Sequence, residues 1–313
     1  MPTYRISSNI MIITIIGATG LQGSAVLNAV LAHGKYAPRA VSRNLESAAS
    51  QALAARGVEV VKANLFDKES LKNAMRGSAV VFGVTNFWDP EVFPADLDGR
   101  NEIIQGKNLV DAAKEVNVGF FIWSSLPSAT KESKGIHTTV YNLDNKAIIE
   151  DYLKASGVPH AILLTGWFAE NLWTWNYLQR TSNGYTVSVA NYWPENVQAF
   201  TWVTHDLGAA VIALLTNYSD PEKSVLGAAY PVISFRATYP QLAAAIATEI
   251  GKEVTFTVRQ SEGIDELDEM YKFLSKYGWY KHTPVPEPDL ATMGVQFGSM
   301  QDFVKTEILP RFA

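Results

Sequence analysis

The chain contains no cysteine among its 313 residues. That absence removes disulfide bonds, thiolate nucleophiles and thiolate-ligated zinc together, and it is the usage expected of an intracellular protein. Charge is sparse, at 18% of residues, and 26 lysines and arginines against 31 aspartates and glutamates leave a net charge of −5. With no overall positive field to draw the chain to a phosphate backbone or an anionic lipid surface, neither nucleic acid nor membrane is an expected partner. No apolar run reaches the roughly 18 residues of a membrane span. The run Ile10 to Ile16 follows a single basic residue, Arg5, and leads into glycines, so it reads as a strand and not as a signal peptide. Repeats and low-complexity segments are also missing. The five histidines, His33, His137, His160, His205 and His282, show no metal-ligand spacing, and there is no Gly-x-Ser-x-Gly elbow. Metal and hydrolase chemistry are therefore not expected.

What is present begins with length and apolar content: 47% hydrophobic residues suffice for a substantial core. At about 150 residues per domain the chain suggests two domains, or one with an appended lobe. Short β-branched runs recur at Ile10 to Ile16, Arg39 to Ser42, Val58 to Lys62, Ala79 to Val84, Phe120 to Ser124 and His160 to Thr165. Several are apolar on both faces, as strands covered by helices must be. Helical stripes separate them: Val26, Leu27, Val30 and Leu31 before Gly34, then Leu71, Ala74 and Met75 behind a capping Asp67. A longer helix is expected over Glu102 to Val116, and another from Asp144 to Gly157. This alternation predicts right-handed βαβ units and a parallel, doubly wound α/β sheet.

After about residue 180 the texture changes. Glu253 to Val258 alternates, and Tyr239 to Ile250 reads as a helix between a capping Thr238 and Gly251. An amphipathic helix carries Ile264, Leu267, Tyr271 and Leu274, and its other face carries Glu262, Asp265, Glu266, Asp268 and Glu269. That acidic face is either solvated or a partner-binding surface. The expected division is residues 1–180, with 199–216 returning to them, and a smaller lobe over 181–313.

Between the first strand and the first helix lies Gly17-Ala-Thr19-Gly20-Leu21-Gln22-Gly23. A glycine-rich turn in that place leaves the first strand tightly, brings backbone N–H groups near a pyrophosphate and aims a helix N-terminus at the anion. NAD-binding chains usually carry an acidic residue about 20 positions later; here that position is Arg43. A guanidinium suits a 2′-phosphate, so NADP(H) is expected over NAD(H), Ser42 and Asn44 adding neutral hydrogen bonds. The alternative is a solvated arginine at a strand end, and Lys62 is a second cation with the same two readings. Ligands of such sheets sit at the carboxyl ends of the strands, which selects Thr85, Asn86 and Phe87, then Ser124 and Ser125, then Trp167 and Phe168. Phe87 is a candidate to stack along the cofactor, and either serine to hold a carbonyl. Trp173, Trp175, Tyr177, Tyr192, Trp193, Trp202, Trp279 and Tyr280 line a ligand pocket or pack the second lobe.

The glycine spacing, the basic end of the second strand and Asn145-Lys146-Ala-Ile-Ile-Glu150-Asp-Tyr152-Leu153 before Gly157-Val-Pro159 together resemble the NmrA-like family. These are atypical short-chain dehydrogenase/reductases. The likeness runs over about residues 10–215, through Thr165-Gly-Trp-Phe168-Ala-Glu170-Asn171 and Val203-Thr-His-Asp206-Leu-Gly208. It implies a Rossmann-type domain with a smaller C-terminal α/β substrate lobe, NADP(H) as cofactor, Asn64 near adenine, and substrate contacts from Phe87, Trp167 and Asn171. Typical reductases of the superfamily carry Tyr-x-x-x-Lys, the tyrosine acting as proton donor. Lys146 matches the lysine, but Asn142 stands at the tyrosine position. Tyr141 is one residue early, about 100° around a helix. The resemblance thus implies either of two functions. One is hydride transfer from NADPH to a small quinone, carbonyl or imine, with Lys146, Asn142 and Ser125 around the reaction. The other is a non-catalytic NADP(H) redox sensor and transcriptional regulator acting through protein partners. A cytoplasmic location is expected, with a nuclear one left open.

Overall fold

The computed structural model describes residues 10–97 and 99–313. Residues 1–9, Arg5 among them, and Asp98 lie outside the described residues. Along the first part of the chain, strands and helices alternate as β1 (Met11–Ile15), α1 (Leu21–His33), β2 (Tyr36–Ser42), α2 (Ala48–Ala55), β3 (Glu59–Lys62), α3 (Lys68–Met75), β4 (Ser78–Gly83), α4 (Arg100–Glu115) and β5 (Phe120–Ser125). Then follow α5 (Ala129–Glu132), α6 (Tyr141–Ser156), β6 (His160–Thr165), β7 (Trp167–Phe168), α7 (Asn171–Thr174), β8 (Leu178–Arg180), β9 (Gly184–Ala190) and β10 (Gln198–Thr201). After them come α8 (Gly208–Asn217), β11 (Ala229–Val232), β12 (Phe235–Ala237), α9 (Tyr239–Ile250), β13 (Glu253–Arg259) and α10 (Asp265–Tyr277).

The expected punctuation explains many of these limits. Asp67 accepts a hydrogen bond from Ser70 N–H at the start of α3, and Gly34 ends α1 in the left-handed conformation. A capping box of Thr238 and Gln241 opens α9, which Gly251 closes. One helix start differs from expectation. α6 begins at Tyr141, ahead of Asp144, because its first turn is closed from elsewhere: Glu266 Oε1 accepts the Asn142 N–H at 2.7 Å. Asp144 does not cap it. Its carboxylate instead accepts the hydroxyls of Ser128 and Thr130, each at 2.6 Å, and the Thr130 N–H.

The chain forms two compact units, interleaved in sequence. The first runs to Ser125 and includes Ile148–Leu163 and Gly208–Ala229; the second comprises Leu126–Ala147, Leu164–Leu207 and Tyr230–Ala313. The expected limits of 1–180 and 181–313 follow changes of sequence texture, whereas these units are defined by which residues pack together. A seven-stranded sheet runs in the order β11-β6-β5-β4-β1-β2-β3. β1 is parallel to both β2 and β4, and β2–β3 and β4–β5 are parallel as well. Strand order therefore advances one way from β1 to β3 and the other way from β4 to β6. The direction reverses between β1 and β4, which is where open α/β sheets bind their ligands. Ile13, Ile15, Val81, Phe82 and Phe120 to Trp123 are wholly buried in this unit.

The second unit holds two three-stranded sheets, β12-β10-β7 and β13-β9-β8. Its interior is aromatic: the Trp167 indole meets Tyr177, Phe200 and Tyr239 edge-on at centroid distances of 5.3 to 5.6 Å. Among the described residues no helix is long and apolar enough to cross a membrane.

Candidate functional site

β1 ends against β4, where the Ile16 N–H donates to the Phe82 carbonyl at 3.0 Å. The chain then turns at Gly17, whose φ of +66° suits glycine, and a Cβ there would also press on Val84 Cγ1 at 3.3 Å. Gly20 N–H closes the turn on the Gly17 carbonyl at 2.8 Å. Gly23, in the first turn of α1, comes so near that a Cβ would lie 2.1 Å from the Gly17 carbonyl oxygen. Gly20 differs from both. Its φ of −90° is open to any residue, and an added Cβ would touch only the Gly17 carbonyl oxygen, at 3.4 Å. The protein itself leaves room for a Cβ at Gly20, so the bare backbone there suits a ligand that must come close. α1 has no side-chain cap and no acidic residue in its first turn, leaving its positive end for an anion. Thr19 and Gly20 are exposed, Leu21 and Gln22 half-buried and Ala18 buried. These features fit a dinucleotide pyrophosphate.

The other candidates of the first unit are less available than their positions suggest. The Ser124 hydroxyl donates to Gln22 Oε1 at 2.6 Å, joining the end of β5 to the first turn of α1. Thr85 donates to the buried Glu102 at 2.7 Å. Both protons are thus committed within the protein, and what each hydroxyl retains is acceptor capacity. Ser125 is fully buried. Phe87 presents no open face for stacking: it is 2% exposed, with its ring stacked on Phe93 at 5.2 Å and Trp88 edge-on at 5.0 Å. Asn86 is exposed and accepts the Trp88 N–H. Asn64 closes an Asx turn on Phe66 N–H, and the Ser42 hydroxyl donates to the Asn44 carbonyl.

Arg43 follows β2 directly, and two carboxylates hold it: Nη2 pairs with Asp89 at 2.8 Å and Nη1 with Glu91 at 2.9 Å. Neither acid was marked by motif or spacing. They stand in the loop after β4, brought to Arg43 by the sheet order. Lys62, at the end of β3, is exposed.

In the second unit, Asn142 and Lys146 stand one helical turn apart on α6, each 8% exposed. The Asn142 amide donates to Met270 Sδ at 3.3 Å. A thioether only accepts, so this contact fixes the amide's orientation and leaves Oδ1, buried and without a hydrogen-bond partner, as an acceptor. Trp167 is 3% exposed and donates to the Tyr271 hydroxyl at 3.0 Å, so it serves the interior. Phe168 and Asn171 are half-buried. Of the other aromatics, Trp173 stacks on Phe303 and Trp202 on His205, while Trp175 and Trp193 are exposed. Burial pushes the phenols of Tyr177, Tyr192, Tyr239 and Tyr271 up, which keeps them protonated and makes them weaker acids than a free tyrosine.

The acidic stretch around α10 is mostly engaged, contrary to a simply solvated face. Glu266 is buried on the Asn142 N–H, Glu269 meets His137 at 2.7 Å, Asp268 accepts from Ser261 and Asn191, and Glu262 accepts the Ala190 N–H. The pattern misleads because most of these partners, Asn142, His137, Asn191 and Ala190, lie far away in sequence.

A model of the NmrA-like family matches residues 10–281. The NmrA-like family domain-containing oxidoreductase cpsB of Aspergillus campestris is 30% identical over 284 residues, covering 84% of this chain and 81% of its own. Among solved structures, NmrA, a negative transcriptional regulator, in complex with NADP superposes with a TM-score of 0.77 at 19% identity over 96% of both chains. An NADPH-dependent quinone oxidoreductase of Escherichia coli complexed with NADPH reaches 0.71 at 22% identity, over 94% of this chain and 98% of its own. At those identities the two structures speak for the fold alone. The family model, spanning most of the chain, and the curated relative agree with the glycine turn and the sheet order: the chain belongs to the NmrA-like family.

Proposed function

We propose that this chain is an NADP(H)-dependent oxidoreductase that reduces a small quinone, carbonyl or imine. The observation that carries the reading is the turn from Gly17 to Gly23: an uncapped helix start beside a glycine whose missing side chain the protein does not itself require. In this reading the amides of Leu21 and Gln22 hold the pyrophosphate, the Gly20 N–H being spent on the Gly17 carbonyl, Ser42 and Arg43 face the adenosine phosphate, Asn64 lies toward adenine, and Thr85, Asn86 and Ser124 accept from the ribose or the amide of the cofactor. When bound, the reduced nicotinamide supplies a hydride.

The proton falls to the chain. Asn142 accepts a hydrogen bond but has no proton to give, and Asp144, on the same helix, is engaged by Ser128 and Thr130. Lys146 is the group of that helix segment suited to donate, either to the substrate or to the ribose as an anchor. That the curated relative is called an oxidoreductase supports turnover. Asn142 in place of the tyrosine supports the second reading, a sensor that binds NADP(H) without turnover and acts through protein partners. The test follows NADPH absorbance while quinones, enones and imines are added to the protein. The enzyme reading expects oxidation that falls about a hundredfold or more in Lys146→Ala. Saturable NADPH binding with no oxidation across the panel would favour the sensor.

A further inference from the structure

Arg43 is the cation on which the preference for a phosphorylated dinucleotide depends, yet both terminal nitrogens of its guanidinium are taken, each by a different carboxylate. A guanidinium grips phosphate through two parallel N–H donors, and Asp89 and Glu91 each hold one terminal nitrogen of Arg43, so a phosphate must share or displace them to use those nitrogens. Asp89 is no casual surface partner. Its side chain is only 12% exposed. Its Oδ1 accepts the Glu91 N–H at 3.0 Å, and its carbonyl accepts the N–H groups of Val92 and Phe93. The stacked rings of Phe87 and Phe93 flank the same turn. The carboxylate is therefore presented to Arg43 by a formed loop, and Glu91, 53% exposed, completes the clasp. On the neighbouring strand the exposed Lys62 is paired in register with Ser42.

Given NADP(H) binding as proposed above, we infer that Asp89 and Glu91 are specificity-determining residues: they compete with the 2′-phosphate for Arg43 and so hold the preference for NADP(H) over NAD(H) below what the arginine alone would give. Two negative charges beside one guanidinium oppose a further dianion, whereas an unphosphorylated ribose hydroxyl meets no such penalty. The acid that NAD-binding chains carry at the end of the second strand is here supplied from the loop after the fourth.

The test is calorimetric titration of the full chain with NADP+ and NAD+, for the wild type, Glu91→Gln and the double variant Asp89→Asn/Glu91→Gln. Glu91 is exposed, so its single variant guards against loss of folding, and an asparagine at position 89 retains an acceptor for the Glu91 N–H. The expected result is a rise of about tenfold in the ratio of NADP+ to NAD+ affinity in the double variant, with a smaller rise in Glu91→Gln. Adding Arg43→Ala to the double variant abolishes the gain. If both dinucleotides bind the wild type and the ratio stays constant or falls in the variants, the competition is refuted while the dinucleotide reading stands. If neither dinucleotide binds the wild type, that reading fails and this inference with it.

Discussion

Gly20 and Gly23 lack side chains for different reasons, and the difference is testable. At Gly23 the chain itself forbids a Cβ, which would lie 2.1 Å from the Gly17 carbonyl oxygen. At Gly20 the nearest protein atom would stand at 3.4 Å, and the backbone angles suit any residue. Gly23→Ala should therefore both lower the melting temperature and abolish NADPH binding. Gly20→Ala should lose no more stability than an altered helix cap costs, about 1 kcal/mol, and still lose NADPH affinity. Equal stability losses in the two variants, or undiminished binding in Gly20→Ala, would contradict the assignment. This turn was legible in the sequence because local spacing alone builds it. The same holds for Arg43 at the end of β2. What surrounds Arg43 was not legible: Asp89 and Glu91 reach it through the pairing of β1 with β4, a long-range fact that spacing does not encode. Phe87 and Trp167 illustrate the same limit. Position at a strand end makes an aromatic eligible for a ligand, but packing partners that spacing does not announce, Phe93 in the loop beyond Phe87 and the distant Tyr271 for Trp167, decide that these two rings pack inward.

At the scale of elements, strands and helices with strong local signals formed where periodicity and caps put them, β6 (His160–Thr165) and α9 (Tyr239–Ile250) being the clearest cases. Elements governed by tertiary partners did not. α6 starts early because Glu266 satisfies its first turn, and the acids around α10 are engaged for comparable reasons. The π-helical turn Val203–Leu207 also rests on a tertiary partner. The buried Glu170 accepts the N–H groups of Val203 and Thr204. Within the turn, His205 Nδ1 meets Asp206 Oδ1 at 2.6 Å while its ring stacks on Trp202. The hydrogen bond to Asp206 raises the His205 pKa above its usual 6.5, against the opposing effect of burial, and the charges of Asp302 and Glu307 add to the rise. A histidine raised in the fold stabilises most below its unfolded value, and that contribution is lost as pH climbs through the folded one. The stability gap between wild type and His205→Ala, read from urea midpoints, should therefore be widest below about pH 6.5 and narrow on the alkaline side. A gap that is flat across this range would refute the charged pairing.

For the whole molecule, the parallel sheet and its reversal of strand order follow from the alternation of β-branched runs with helical stripes. The interleaving of the two units does not, since the chain passes from one to the other at Ser125, Ala147, Leu163, Leu207 and Ala229 with no linker composition at those points. A doubly wound sheet hosts many chemistries, so the functional claim rests on one local arrangement: backbone amides, a helix N-terminus and an arginine gathered at the carboxyl ends of β1 and β2. The most direct measurement is a crystal structure of the protein grown with excess NADPH. Density is expected for the pyrophosphate against the amides of Leu21 and Gln22, with the adenosine phosphate toward Arg43. A turn that remains empty at saturating NADPH, or a cofactor bound elsewhere on the molecule, would contradict it.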